Sequence, residues 1–207
     1  MTQISLAKQG KTTKQMKEVA RCEKIALEVI RNAVSAGQIV IPWNPIHAPY
    51  SLGIGKGLRV KVNANIGTSR EHCNLKEEVE KAKVAVETGA HAVMDLSTGG
   101  DLDRIRRALL KTVTVPFGTV PIYQAGIEAV QKRGSIVDMT PDDMFSMVER
   151  QAKQGVDFAV VHVGITKVSV ERLRKQKRLI PMVSRGGSFH MAWILHHDTE
   201  NPFYKDF

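Results

Sequence analysis

A chain of 207 residues, 43% hydrophobic and 25% charged, has the make-up of an ordinary folded domain and excludes a largely disordered polypeptide. Thirty Lys and Arg against 21 Asp and Glu leave a net charge of +9, which suits nucleic acid or a phosphorylated small molecule without choosing between them. No run of about 18 apolar residues is present, and residues 1–18 hold no signal-peptide core, so the expectation is a cytoplasmic protein with no membrane partner.

In chain order, Thr12 or Thr13 caps a helix carrying Met16, Val19 and Ala20 on one face, and a second helical pattern through Ile25, Val29, Ile30 and Val34 stops at Gly37. Residues 39–42 form a short strand, followed by a long loop marked by Pro45, Pro49 and the run Gly53-Ile54-Gly55-Lys56-Gly57. That run imitates a nucleotide loop but precedes its strand, the wrong setting for a dinucleotide or P-loop site. Residues 1–58 thus read as an N-terminal helical and loop segment.

From residue 58 strands alternate with helices, the pattern of a parallel sheet covered by helices. Strands are expected at 58–65, 92–96, 115–120, 158–163 and 180–183, each apolar enough to be buried on both faces. Helices are expected at 74–88, stopped by Gly89, and at 101–111, 122–132, 140–154, 167–176 and 188–197. Thr140 caps the fourth of these, with Pro141 in its first turn and Asp143 placed for a capping box.

Five such units fit either a doubly wound sheet or an incomplete (β/α)8 TIM barrel. Polar residues fall at the end of every strand: Asn63 and Asn65, Asp95 with Ser97 and Thr98, Thr119 with Tyr123, His162, and Ser184 with Arg185. A barrel gathers its chemistry in that way, whereas an open sheet concentrates it at one crevice. Residues 59–207 therefore read as the N-terminal part of a barrel, truncated, because five strands do not close one that takes about 250 residues.

The best local signal is Ser184-Arg185-Gly186-Gly187, between a strand and a helix. Backbone N–H groups, a helix N-terminus and a guanidinium can converge there on a phosphate, and a Gly-rich turn with an exposed Arg is the plainer alternative. Asp95 and Asp101 bracket a similar turn but repel an anion, so Asp95 is expected to fix the loop or to contact a cationic or NH-bearing ligand, and Asp101 to cap a helix. His162 ends an apolar strand, where a hydrogen-bonded structural role competes with a place in a site. Tyr123, with Gln124, starts a helix, where its hydroxyl holds a phosphate oxygen or its ring simply packs. Asn63 and Asn65 share one side of a strand and need partners.

Two basic runs, Arg104 to Arg107 and Arg172 to Arg178, read as solvated helix faces, and the scarcity of aromatics between them leaves a single-strand nucleic-acid platform unsupported. His190, His196 and His197 read as a surface cluster without the acidic or thiolate partners of a metal centre. Cys22 and Cys73 are too far apart for a CxxC motif and read as ordinary thiols of a reducing compartment.

The strings KVNANIGTS (61–69), VMDLSTG (93–99), GTVPIYQA (118–125), GVDFAVVH (155–162) and SRGG (184–187), in this order, resemble the phosphomethylpyrimidine synthase (ThiC) family. IPWNPIHAP (41–49) and the closing ENPFY (200–204) extend the likeness to essentially the whole chain. The resemblance implies a (β/α)8-barrel homodimer of thiamine biosynthesis, a radical lyase. Such an enzyme rearranges 5-aminoimidazole ribonucleotide to hydroxymethylpyrimidine phosphate with S-adenosylmethionine, a [4Fe-4S] cluster and a divalent metal, zinc.

It carries the substrate contacts onto Asn65, Met94, Tyr123, His162, Ser184, Arg185 and Gly186. Tyr123, His162 and the 184–186 turn would hold the phosphate, Asn65 would bond the aminoimidazole and Met94 would pack against it. The family's DGLRPG-like and EGPGH-like segments, its zinc ligands and its CxxCxxxxC run have no counterpart here, and two thiols do not make a three-cysteine cluster site. The expectation is an inactive N-terminal half holding part of the substrate site. Its rivals are a fragment of the paralogous 5-hydroxybenzimidazole synthase of cobamide biosynthesis, and a non-catalytic half-barrel that binds a phosphorylated ligand.

Overall fold

The computed structural model describes residues 1–176, 178–180 and 182–206. Three helices open the chain: α1 (Gln3–Lys8), α2 (Lys14–Glu23) and α3 (Leu27–Ser35). Thr13, not Thr12, caps α2 by accepting from the N–H of Met16. Apolar residues three and four apart put Met16, Val19 and Ala20 against Ile30 and Val34, with Ile39 and Ile41 closing a local core. Strand β1 (Ile39–Val40) pairs antiparallel with β2 (Ile54–Gly55), so the Gly-rich run read as loop supplies half of a two-stranded ribbon.

Beyond it lies a four-stranded parallel sheet in sequential order: β3 (Asn63–Ile66), β4 (Ala92–Asp95), β5 (Phe117–Thr119) and β6 (Phe158–Ala159). Helices α4 (Leu75–Glu87), α5 (Leu102–Thr112), α6 (Pro121–Arg133) and α7 (Pro141–Gln154) make the crossovers, and α8 (Lys167–Lys175), α9 (Arg185–His197) and α10 (Pro202–Lys205) follow. Asp101 caps α5, and Thr140 with Asp143 forms the expected capping box on α7.

In-register neighbours share a face of the sheet. Ile66, Asp95 and Thr119 turn toward the helical layer, while Asn65, Met94, Gly118 and Phe158 line the opposite face. One apolar cluster, with Val93, Phe117, Ile105 and Leu109, fills the space beneath α4 and α5. A second, with Val120, Met144, Trp193 and Phe203, lies where α6, α7, α9 and α10 meet.

Several expectations are corrected. Four parallel strands are present among the described residues, not five, and the sheet is not closed. The expected strand at 180–183 contains Pro181, outside the described residues; Met182 and Val183 on its far side join no strand, and Ile180 and Val183 are exposed. The first strand begins at Asn63: the Val62 carbonyl still accepts from His91 and Ala92, but Val60 before it pairs with no strand and is 90% exposed. Strand β6 ends at Ala159. At both edges the strands are half exposed, where burial on both faces was expected, since nothing pairs beyond them.

The Arg104 to Arg107 run is not wholly solvated. Arg106 is 2% exposed, pinned by Asp103 Oδ1 at 2.9 Å, Gln154 Oε1 at 2.5 Å and Gln124 Oε1. Gln151 donates to Gln124 Oε1 at 3.1 Å and accepts from Thr119 Oγ1 at 2.6 Å, so one buried network ties α5, α6 and α7 to β5. Desolvation lowers the Arg106 pKa to about 10 against the opposing pull of Asp95.

A second polar staple joins the two parts of the chain. Asp157 accepts from His47 Nδ1 at 2.6 Å and from the backbone N–H groups of Asn44 and Phe117, both at 2.8 Å. His47 Nε2 faces the Val113 carbonyl at 2.9 Å. Both partners of the ring only accept, an arrangement that favours the doubly protonated ring. Burial pulls the His47 pKa down, but the bonds to Asp157 and Val113 prevail and hold it above its usual value.

Candidate functional site

The turn beyond β6 and the start of α9 form the centre of the site. Ser184 caps α9, its hydroxyl accepting from the N–H of Gly187 at 3.1 Å, so the helix begins at Arg185 and not at Ser188 as its apolar pattern suggests. Gly186 is therefore a first-turn residue, and its N–H is among those a helix leaves without an internal partner. Gly186 is packed directly against His162: a Cβ there would stand 2.6 Å from Nε2 and 2.7 Å from Nδ1. The polar edge of the imidazole thus faces the helix N-terminus.

Arg185 is exposed and lies over the ring of Tyr123, its guanidinium carbon 5.0 Å from the centroid. Tyr123 sits in the first turn of α6, which starts at Pro121, and meets Phe189 edge-on at 6.0 Å. A phenol, a guanidinium, an imidazole edge and a helix N-terminus therefore converge, a set of donors suited to a phosphate or carboxylate. His162 Nδ1 is buried and has no hydrogen-bond partner among the described residues. Desolvation lowers the His162 pKa.

Asn65 and Met94 are register partners on β3 and β4, on the face away from the helices. Met94 and Tyr123 pack against the same apolar cluster, which links the strand pair to the turn. Asn65 is exposed rather than buried, and its Oδ1 accepts from Asn63 Nδ2 at 2.8 Å, so the two amides satisfy each other in part. On the same face, toward the N-terminal ends of the strands, a cavity of about 520 Å3 is lined by Val40, Leu58, Val62, Asn63, Ala92 and Phe158.

Loops behind the site are cross-braced. Asp95 Oδ1 accepts from the N–H of Ser97 at 2.9 Å, Ser97 Oγ from that of Thr68 at 3.0 Å, and the Gly99 carbonyl from Thr68 Oγ1 at 2.7 Å. Asp95 thus fixes its loop, as expected, and desolvation raises its pKa against those bonds.

Two features escaped the sequence reading. His190, taken as part of a surface cluster, is fully buried, and burial lowers its pKa to about 4. With α9 taken to start at 188, the four-residue spacing from Gly186 to His190 that puts them on one face was not visible. The buried Arg106 network was hidden inside a basic run, and the glutamines at 124 and 151 were its only trace.

The profile of the radical SAM ThiC family matches residues 2–207. The chain belongs to the radical SAM ThiC family. Three relatives, each called phosphomethylpyrimidine synthase, align over all of this chain: 53% identical in Pyrococcus furiosus, 55% in Desulforudis audaxviator and 51% in Methanocaldococcus jannaschii. The chain spans about half the length of the curated relatives it matches, 48% or 49% of each.

ThiC-family membership implies an iron–sulfur cluster and a metal, and the residues here do not fit either. The chain has two cysteines, and Cys73 is engaged with the Gly99 carbonyl at 3.3 Å. Among the described residues no group of three His, Cys, Asp or Glu is placed to hold a metal ion. No described helix is long and apolar enough to cross a membrane.

Proposed function

We propose that this chain is the N-terminal half of a phosphomethylpyrimidine synthase of thiamine biosynthesis and holds the phosphate and part of the aminoimidazole of 5-aminoimidazole ribonucleotide. The observation that carries this reading is the convergence of Tyr123, His162 and Arg185 on the N-terminus of α9. Arg185 and the first-turn N–H groups take the phosphate, with the Tyr123 hydroxyl and the His162 imidazole as further donors. Asn65 bonds the aminoimidazole and Met94 packs beneath it, their adjacency supplying the second part of the site.

On this reading residues 59–207 are the first part of a (β/α)8 barrel, residues 1–58 a helical and loop segment beside it, and the sheet face bearing Asn65 and Met94 is the barrel interior. The complete enzyme is a cytoplasmic homodimer whose cluster and zinc ligands come from the half not present here. This half alone binds substrate and does not turn it over.

Isothermal titration of the chain with 5-aminoimidazole ribonucleotide, beside a Tyr123→Phe/His162→Ala double variant, tests the reading. Saturable binding that the double variant weakens supports it. No heat from the unaltered chain at millimolar ligand removes it.

A further inference from the structure

Gly186 and His190 lie one helical turn apart on α9, and both are neighbours of the His162 imidazole, which turns its nitrogen-bearing edge to Gly186. The two rings stand 6.0 Å apart between centroids, tilted by 42°. Both nitrogens of His190 and Nδ1 of His162 are buried without a hydrogen-bond partner among the described residues. Buried polar groups are costly when left unpaired, which makes three at one place conspicuous.

Among the described residues nothing else near them answers the need. Phe203 covers the far side of His190, its ring 5.5 Å away. The Asn201 amide is committed to the carbonyls of His162 and Ile165, both at 2.9 Å. Arg185 is turned out over Tyr123. Among the described residues no carboxylate bonds either ring and desolvation disfavours the charged form of both, and two imidazoles alone fall short of a metal ligand set. A neutral imidazole has one donor and one acceptor, and two of them complement each other directly or through one water.

We propose that His190 is a positioning residue for His162: it fixes which nitrogen of His162 carries the proton, so that the N–H faces an anionic group at the N-terminus of α9. The pairing stands on the geometry alone. The destination of the N–H rests on the phosphate reading above.

The test uses the intact chain labelled with 15N-histidine. Long-range 1H–15N spectra at pH 7, with and without inorganic phosphate, identify the tautomer of each ring. His162 is expected in a single neutral tautomer, retained in His190→Gln, whose amide still donates and accepts, and mixed in His190→Leu. Phosphate affinity should fall roughly tenfold in the leucine variant, the equivalent of one neutral hydrogen bond.

A tautomer mixture or an imidazolium at His162 in the unaltered chain overturns the proposal, and that spectrum decides even if the leucine variant does not fold. A single tautomer unmoved by His190→Leu overturns it equally. If the tautomer responds to His190 but phosphate perturbs neither His162 nor the α9 amides, the pairing stands and the anionic destination falls.

Discussion

Replacing Asp157 by Ala removes a buried carboxylate that ties residues 44–47 to the sheet, alongside the bonds from the Asn44 amide to the Ala152 and Val156 carbonyls. The carboxylate is fully buried and serves three donors: His47 Nδ1 and the backbone N–H groups of Asn44 and Phe117. Alanine leaves two backbone donors stranded at about 1–3 kcal/mol each, together with a His47 ring deprived of the carboxylate that raises its pKa. The expected loss is about 4 kcal/mol, a large part of the roughly 5–15 kcal/mol that holds a domain folded. Urea unfolding, followed by far-ultraviolet circular dichroism and by the fluorescence of Trp43, whose Nε1 bonds the nearby Pro49 carbonyl, reads it directly. His47→Gln should cost less, because Asp157 then keeps both backbone donors. A loss below about 1 kcal/mol at unchanged m-value in Asp157→Ala would show that the staple is replaceable by water, and the reasoning would fail.

Three further outcomes are expected. His190 has a folded pKa near 4, below its unfolded value of 6.5, so the unfolded state binds the extra proton between them and stability falls as pH drops through that window. His47 is shifted upward and acts oppositely, its contribution present below 6.5 and lost as pH rises through its folded pKa. Melting temperature against pH should flatten on the acid side in His190→Leu, and an unchanged slope there would sink the assignment. Gly186→Ala should drive a methyl group into the His162 ring, costing about 1–3 kcal/mol by overpacking and abolishing phosphate-induced shifts; normal phosphate binding in that variant refutes the packing described. Arg106→Leu should lose about 1–3 kcal/mol, since it leaves Gln154 Oε1 without its donor while Asp103 keeps Arg150 and Gln124 keeps Gln151, and thermal unfolding within 1 °C of the parent would contradict that.

The alternation of strands and helices after residue 58 was legible because buried parallel strands are short apolar runs separated by capped helices. Thr140, Pro141 and Asp143 announced α7 by local chemistry alone. What failed was whatever depended on distant neighbours. Residues 58–62 are as apolar as a strand, yet a strand also needs a partner for its N–H and C=O groups, and Val60 has none. The start of α9 was misplaced because two glycines look like loop, whereas Ser184 caps the helix and Gly186 is required by the approach of His162. Tyr123, His162 and the 184–186 turn were named from sequence and are neighbours in space. Their shared environment with His190 was not legible, since it arises only when α9 folds back against the end of β6.

Asp157 stands 113 residues after Asn44 and 110 after His47. At translation rates of about 5–20 residues per second, residues 44–47 wait roughly 5–20 seconds on the ribosome before the carboxylate that holds them has been made. During that interval the N-terminal helices depend on the small core built from Met16, Val19, Ile30 and Ile39, whose contacts are all close in sequence. The staple therefore divides folding into an early local step and a late closing one. Removing Asp157 should speed unfolding while leaving the early collapse of residues 1–41 untouched.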